Sequence, residues 1–171
     1  SSVSFTNLNR EGKWEVLCRP FRLGKVQHQG DIIVRSDSGI KCLADLKGKT
    51  FAYVDRNSGT GYVYTNRLLA REGIDPLNFF GKVEFTGNHS NSIDGVLSGK
   101  YDAAATFDIS MNLPPAVLAS ITVLAHTEWI YNDPIVVRKD MELELKNKLL
   151  DLFVNMPKYA SGTETLIYLN T

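Results

Sequence analysis

Short apolar runs alternate with mixed polar stretches along this chain. GDIIVRS (residues 30–36) is brief, apolar and β-branched, and reads as a buried strand. In SGIKCLADLKGKT, which follows, Ile40, Leu43 and Leu46 recur every three residues. That spacing predicts a short helix, with Ser38 placed to cap it and Gly48 to stop it. TFAYV (50–54) is the next strand. A helix over about 61–72 comes after it, closed by Gly73 with Pro76 just beyond. KVEFTG (82–87) predicts a strand, GNHSN a polar turn, and 92–97 a short helix ending near Gly99. YDAAAT (101–106), ITVLAH (121–126) and PIVVR (134–138) are the remaining strand candidates. Residues 142–154 predict an amphipathic helix with Leu145, Leu149, Leu152 and Phe153 on one side.

Strands that alternate with helices predict the α/β class, with a mostly parallel sheet and flanking helices. There is no internal repeat and no low-complexity stretch. Residues 1–29 and 155–171 complete no βαβ unit and read as pieces of something larger.

Composition changes this picture little. The 171 residues suffice for one domain, or for one large lobe with part of another. Hydrophobic content of 43% and charged content of 22% are those of a soluble globular protein. The formal net charge is zero and no dense Lys/Arg run occurs, which argues against a nucleic-acid partner. No apolar stretch is long enough for a membrane-spanning helix. Cys18 and Cys42 stand far apart beside apolar or small residues, and read as packed free thiols rather than a bridge. The absence of a CxxC or Cys/His cluster argues against a metal site.

The candidate chemistry lies in DRNSGTGYVYTNRLL, from Asp55 onward. In a parallel α/β sheet, ligands bind beyond the carboxyl ends of the strands. The helix after TFAYV turns its free N–H groups and positive dipole end toward this turn. Gly59 and Gly61 allow close backbone approach, and Ser58 and Thr60 add hydroxyl donors. The pattern suits a tetrahedral oxyanion and needs no lysine. The plainer alternative is that Ser58 or Thr60 only caps the helix. The turn is neither a phosphate-binding P-loop, whose Lys-Ser/Thr is missing, nor a nucleophile elbow around Ser58. His89 and Ser90 in GNHSN follow another strand, and His89 is a second candidate donor, or else a solvated loop histidine. Asp133, before Pro134, is placed to meet an ammonium group or to make an ordinary turn. Asp108 is a candidate acid or a helix cap.

The run IIVRSDSGIKCLADLKGKTFAYVDRNSGTGYVYTNRLLAREGID resembles the periplasmic phosphonate-, phosphite- or phosphate-binding proteins of ABC transporters. So do VEFTGNHSNSIDGVLSGKYDAAAT and YNDPIVVRKD, in the family's order, over about residues 19–152. The resemblance implies two α/β lobes that close on a ligand about a hinge and signal to a membrane permease. It implies one nearly complete ligand-binding lobe over 37–133. Residues 1–36 and 134–171 would be hinge strands and a remnant of the other lobe, with IIVRS and PIVVR as the crossings. Most of that other lobe would lie before Ser1, and the match fades after Leu152, so the chain is expected to be a fragment. The expected location is periplasmic or extracellular and lipid-anchored, with no cofactor.

Residue by residue, the family's oxyanion turn, Ser-Thr-Ser then Gly, corresponds to Ser58, Gly59, Thr60 and Gly61, so one hydroxyl is lost at Gly59. Tyr62 continues the turn. His89 corresponds to the family's loop histidine, and Asp133 to the acid that meets a ligand amine near the second crossing. The acidic position of aminoalkylphosphonate binders falls near Ile109, beside Asp108, which disfavours an aminoalkylphosphonate. The alternative reading is the effector-sensing domain of a regulator or sensor kinase with the same fold, though no helix-turn-helix or kinase segment is visible. An enzyme is not expected: the chain has no matched nucleophile and base and no paired carboxylates at an obvious spacing.

Overall fold

A computed structural model describes residues 2–21, 24–109 and 113–156. In chain order the elements are α1 (Ser2–Leu8), β1 (Trp14–Cys18), β2 (Gln27–His28), β3 (Gly30–Arg35), β4 (Thr50–Tyr53), α2 (Tyr64–Arg71), α3 (Pro76–Phe79) and β5 (Lys82–Phe85). Then come α4 (His89–Leu97), β6 (Ala103–Phe107), α5 (Pro115–Leu118), β7 (Ile121–His126), β8 (Ile130–Tyr131), β9 (Ile135–Arg138) and α6 (Leu143–Asn155). The chain divides into two compact units: His28–Ile130, and Ser1–Gln27 with Tyr131–Thr171. These divisions differ from the expected 36/37 and 133/134, so IIVRS, expected as a crossing, lies inside the larger unit.

The larger unit is built on a five-stranded sheet in the order β5-β4-β6-β3-β7. Successive residues of β3 point to opposite faces, and Ile32, Ile33 and Val34 are all fully buried. Ile32 and Val34 therefore enter one core with Phe51, Tyr53, Leu69 and Phe80. Ile33 enters the other with Ala52, Ala104, Ile93 and Val96. The α/β class stands, but the sheet is mixed rather than mostly parallel. β4 runs parallel to β5 and β6, whereas β3 is antiparallel to both β6 and β7. The β3–β4 link explains this: it holds only the 3-10 turn Leu43–Leu46, not a crossover helix, and returns the chain at the same end of the sheet.

Several local expectations are refined. The short helix after β3 is that 3-10 turn, and Ser38 does not cap it. Cys42 caps it instead, in a reciprocal arrangement with Asp45, whose carboxylate accepts the Cys42 N–H at 3.1 Å. Both cysteines are free, but Cys42 is exposed rather than packed. α2 closes as expected at Gly73, which adopts φ 72°. Gly73 N–H donates to the Ala70 carbonyl and Ile74 N–H to that of Leu69, a Schellman ending. α4 starts at His89 rather than Ser92, because the Asn88 side chain accepts the Asn91 N–H at 2.8 Å and caps it there.

In the smaller unit β1 pairs antiparallel with β9, a strand and partner not anticipated for β1. Lys146 of α6 reaches Glu15 of β1 at 2.6 Å. Asn132 is buried, and its amide donates to the carbonyls of Pro20 and Lys25 at 2.9 and 2.8 Å. No residue of α6 is buried among the described residues. Of its expected apolar side, Leu145 and Leu152 are 46% and 49% exposed. Residues 157–171 of the expected remnant lie outside the described residues.

A glycine in α4 tests the packing. An added Cβ on Gly95 would stand 2.3 Å from Cδ2 of the buried Tyr101 ring. Helix propensity favours alanine by about 1 kcal/mol, whereas overpacking costs about 1–3 kcal/mol. Gly95→Ala is expected to lower stability by about 1 kcal/mol or more, measured by urea unfolding. A stabilised variant would show that the ring yields.

Candidate functional site

β4 ends at the carboxyl edge of the sheet, and the next residues turn directly into a helix. The first turn, Gly59–Val63, is π-helical and runs into α2. It is wound tightly against the strand it leaves. Val54 N–H donates to the Gly61 carbonyl at 3.1 Å, and Val63 N–H to the Ser58 carbonyl at 3.0 Å. Ser58 Oγ accepts the Gly61 N–H at 3.0 Å, so the plain capping role holds for this residue. The Thr65 hydroxyl donates to the Thr60 carbonyl at 2.7 Å and locks the turn from the other side.

Two close approaches require glycine. A Cβ on Gly61 would lie 2.4 Å from Val54 Cγ2, and one on Gly30 of β3 would lie 2.9 Å from Thr60 Cβ. The turn is therefore pressed onto the ends of both β4 and β3. Among the described residues, the helix-opening amides of Gly59, Thr60 and Tyr62 meet no protein acceptor. Thr60 is 6% exposed, yet its hydroxyl makes no bond within the described chain and is not sealed from solvent. These are the free donors of the turn. The Tyr62 ring stands edge-on to Tyr53 at 4.9 Å, and its phenol oxygen accepts from the Arg56 guanidinium at 3.4 Å.

His89 stands at the end of the adjacent parallel strand. Thr86 and Gly87 N–H groups donate to the carbonyls of Tyr53 and Val54, which ties the turn after β5 to the turn after β4. His89 opens α4, its Nδ1 3.2 Å from Thr106 Oγ1 and its ring edge-to-face with Phe107 at 5.0 Å. Burial pushes its imidazole below the usual histidine range, while the Asp55 charge pulls the other way and His28 adds to the depression. Asp55 belongs to the first turn, so the two turns share one electrostatic neighbourhood.

The larger unit thus brings Ser58, Gly59, Thr60, Gly61, Tyr62 and His89 to one edge of its sheet. Asp133 is exposed and belongs to the smaller unit. Ile109 is buried and apolar, 3% exposed, and presents no carboxylate. No group of three His, Cys, Asp or Glu that would hold a metal ion occurs among the described residues, and no described helix is long and apolar enough to cross a membrane. A cavity of about 780 Å3 opens beside Tyr62, lined by Tyr53, Arg56, Phe80, Val83 and Phe85. Its walls combine aromatic rings with the polar side chains of Arg56, Asn66, Asp75 and Lys82. Sequence reasoning missed Gly30 and Thr106, whose roles arise from strand register.

The family model for the periplasmic substrate-binding protein of the phosphonate ABC transporter matches residues 1–170. A phosphonates-binding periplasmic protein of Escherichia coli (strain K12) is 30% identical over 136 residues, which cover 74% of this chain and 40% of that protein. A binding protein component of an ABC phosphonate transporter from Pseudomonas aeruginosa superposes with a TM-score of 0.85 at 23% identity, over 99% of this chain and 59% of that one. PhnD1 from Prochlorococcus marinus (MIT 9301), solved in complex with methylphosphonate, gives 0.83 at 19% identity, over 99% of this chain and 68% of that one. The chain therefore spans 40% of the length of the curated relative.

The Gly61 contact sets a direct test of the turn. Gly61→Ala is expected to destabilise by about 1–3 kcal/mol, because Val54 and the Ser58 hydroxyl both stand within 2.8 Å of the new methyl. Thermal unfolding measures it; wild-type stability would mean that the turn is looser than this packing requires.

Proposed function

The chain belongs to the family of periplasmic substrate-binding proteins of phosphonate ABC transporters, and from that premise we propose that its larger unit binds a small phosphorus oxyanion. The free amides of Gly59, Thr60 and Tyr62, the Thr60 hydroxyl and the His89 imidazole are the donors. The observation that carries this reading is the tight turn itself: Gly61 lies against Val54, and the helix-opening amides of Gly59, Thr60 and Tyr62 meet no acceptor among the described residues. Each hydrogen bond to an anion contributes about 1.5–3 kcal/mol, so three or four donors suffice for a specific ligand without a lysine. With Gly59 in place of a hydroxyl residue, the turn offers one donor fewer than the pattern it resembles.

The proposal includes a two-lobed parent protein outside the cytoplasm, held by a lipid anchor or free in the periplasm, that delivers its ligand to a permease and catalyses nothing. The larger unit is the ligand-binding lobe. The smaller unit is part of the second lobe. The exposed leucines of α6 support that reading, since an amphipathic helix ordinarily buries such a stripe. With Ile109 apolar, phosphonate, phosphite or phosphate itself fits better than an aminoalkylphosphonate.

Three outcomes test this. In calorimetry with inorganic phosphate or methylphosphonate, Thr60→Ala is expected to weaken binding about tenfold; equal affinity removes the turn from the site. The chain alone supplies half the contacts of a two-lobed trap, so its dissociation constant is expected near the millimolar range, about −4 kcal/mol. Micromolar binding by this chain would make the second lobe unnecessary. Sulfate, whose charge is constant between about pH 5 and 8, should favour protonated His89; because burial holds that imidazole below the usual histidine range, binding is expected to tighten only as pH falls below about 6.5. His89→Gln is expected to flatten the profile, and a wild-type profile that stays flat down to the acid limit of the fold, with affinity unchanged in His89→Gln, would place His89 away from the anion.

A further inference from the structure

Polar groups that the anion turn leaves unused form a row across one end of the sheet. In register, Asp31 on β3 stands opposite Thr106 on β6 and opposite His126 on β7. Directly opposed residues share a face, so these three side chains lie side by side. Asp31 is 1% exposed and Thr106 is fully buried. A carboxylate inside a strand as apolar as GDIIVR is costly unless its oxygens are engaged. Both are: one accepts the Ile109 N–H at 2.9 Å, and the other lies 2.7 Å from His126 Nδ1. Burial pushes the Asp31 carboxyl up, the Ile109 amide and His126 pull it back, and Asp108 pushes it up again.

What Asp31 holds leads back to the anion site. Ile109 lies just past β6, the strand whose last two residues are Thr106 and Phe107. Those two make the contacts described for the His89 ring, the hydroxyl at 3.2 Å and the aromatic face at 5.0 Å. An apolar residue at position 31 would fill the core with less desolvation. An acid there makes sense if the end of β6 must be fixed.

We propose that Asp31 is a positioning residue of the anion site: by holding the Ile109 amide it fixes the end of β6, and through Thr106 and Phe107 it sets the His89 ring. This rests on the reading of His89 as a ligand donor. The experiment is a phosphate titration of the whole chain followed by NMR of the histidine rings, the three histidines assigned by His→Gln variants. Asp31→Ala is expected to shift the His89 ring signals before any phosphate is added, and to weaken phosphate binding about tenfold. Asp31→Asn keeps an acceptor for the Ile109 N–H and is expected to restore both, with affinity within about threefold of wild type. A folded Asp31→Ala chain with unmoved His89 signals and unchanged affinity overturns the proposal. So does an Asn variant as impaired as the Ala variant. If Asp31→Ala does not fold, Asp31→Ser, whose hydroxyl falls short of the Ile109 amide, is read by the same two measurements. Phosphate that binds wild type without disturbing His89 sinks the site reading instead, and the ligand-free spectra still decide whether Asp31 sets the ring.

Discussion

The absence of a side chain at Gly61 is the constraint on which the site depends. It lets the helix entrance lie against Val54, so that the strand's own N–H closes onto the Gly61 carbonyl at 3.1 Å. Any larger residue would push the entrance away from β4, and with it Thr60 away from Gly30. The Thr65 hydroxyl then pins the Thr60 carbonyl, and Ser58 takes the Gly61 amide. The helix-opening amides that remain are held in place by these contacts, and on the proposed reading that lowers the ordering cost of binding.

That arrangement was legible in the sequence because its parts are local. Hydroxyls and glycines within four positions of one another, between a strand and a helix, carry their meaning in their spacing. Strands were legible for a similar reason: GDIIVRS and TFAYV are apolar at successive positions because both sheet faces are covered. Strand direction was not. A strand buried on both faces has the same composition whichever way it runs, so the antiparallel placement of β3 left no mark. The start of α4 was also missed, because Asn88 sits in a polar cluster where several residues are able to cap.

The contacts of Asp31 were hidden by distance along the chain. His126 meets Asp31 across 95 positions and Ile109 across 78. Such contacts follow from register, and register is not written in any one segment. One trace did exist: a single acid in an otherwise apolar run, where burial without partners would be prohibitive. The smaller unit shows the opposite failure. The stripe of α6 was read correctly as amphipathic, but periodicity says which residues share a side, not what covers them, and Leu145 and Leu152 remain exposed.

The chain's charge constrains how such a site attracts an anion. With a formal net charge of zero, these 171 residues supply no net positive charge to steer an anion. The local source is the helix opening, equivalent to about half a positive charge. Asp55, near enough to act on His89, opposes it. Attraction at long range is therefore weak, and selectivity falls to geometry: how many oxygens reach how many fixed donors. A ligand with tetrahedrally arranged oxygens satisfies several at once, whereas a planar carboxylate with two oxygens leaves some desolvated and unpaired. Unpaired buried donors cost about 1–3 kcal/mol each, which is enough to separate the two classes without any cationic side chain. On the proposed reading, His89 then sets the balance of charge, and the residues that orient its ring take part in recognition with those that touch the anion.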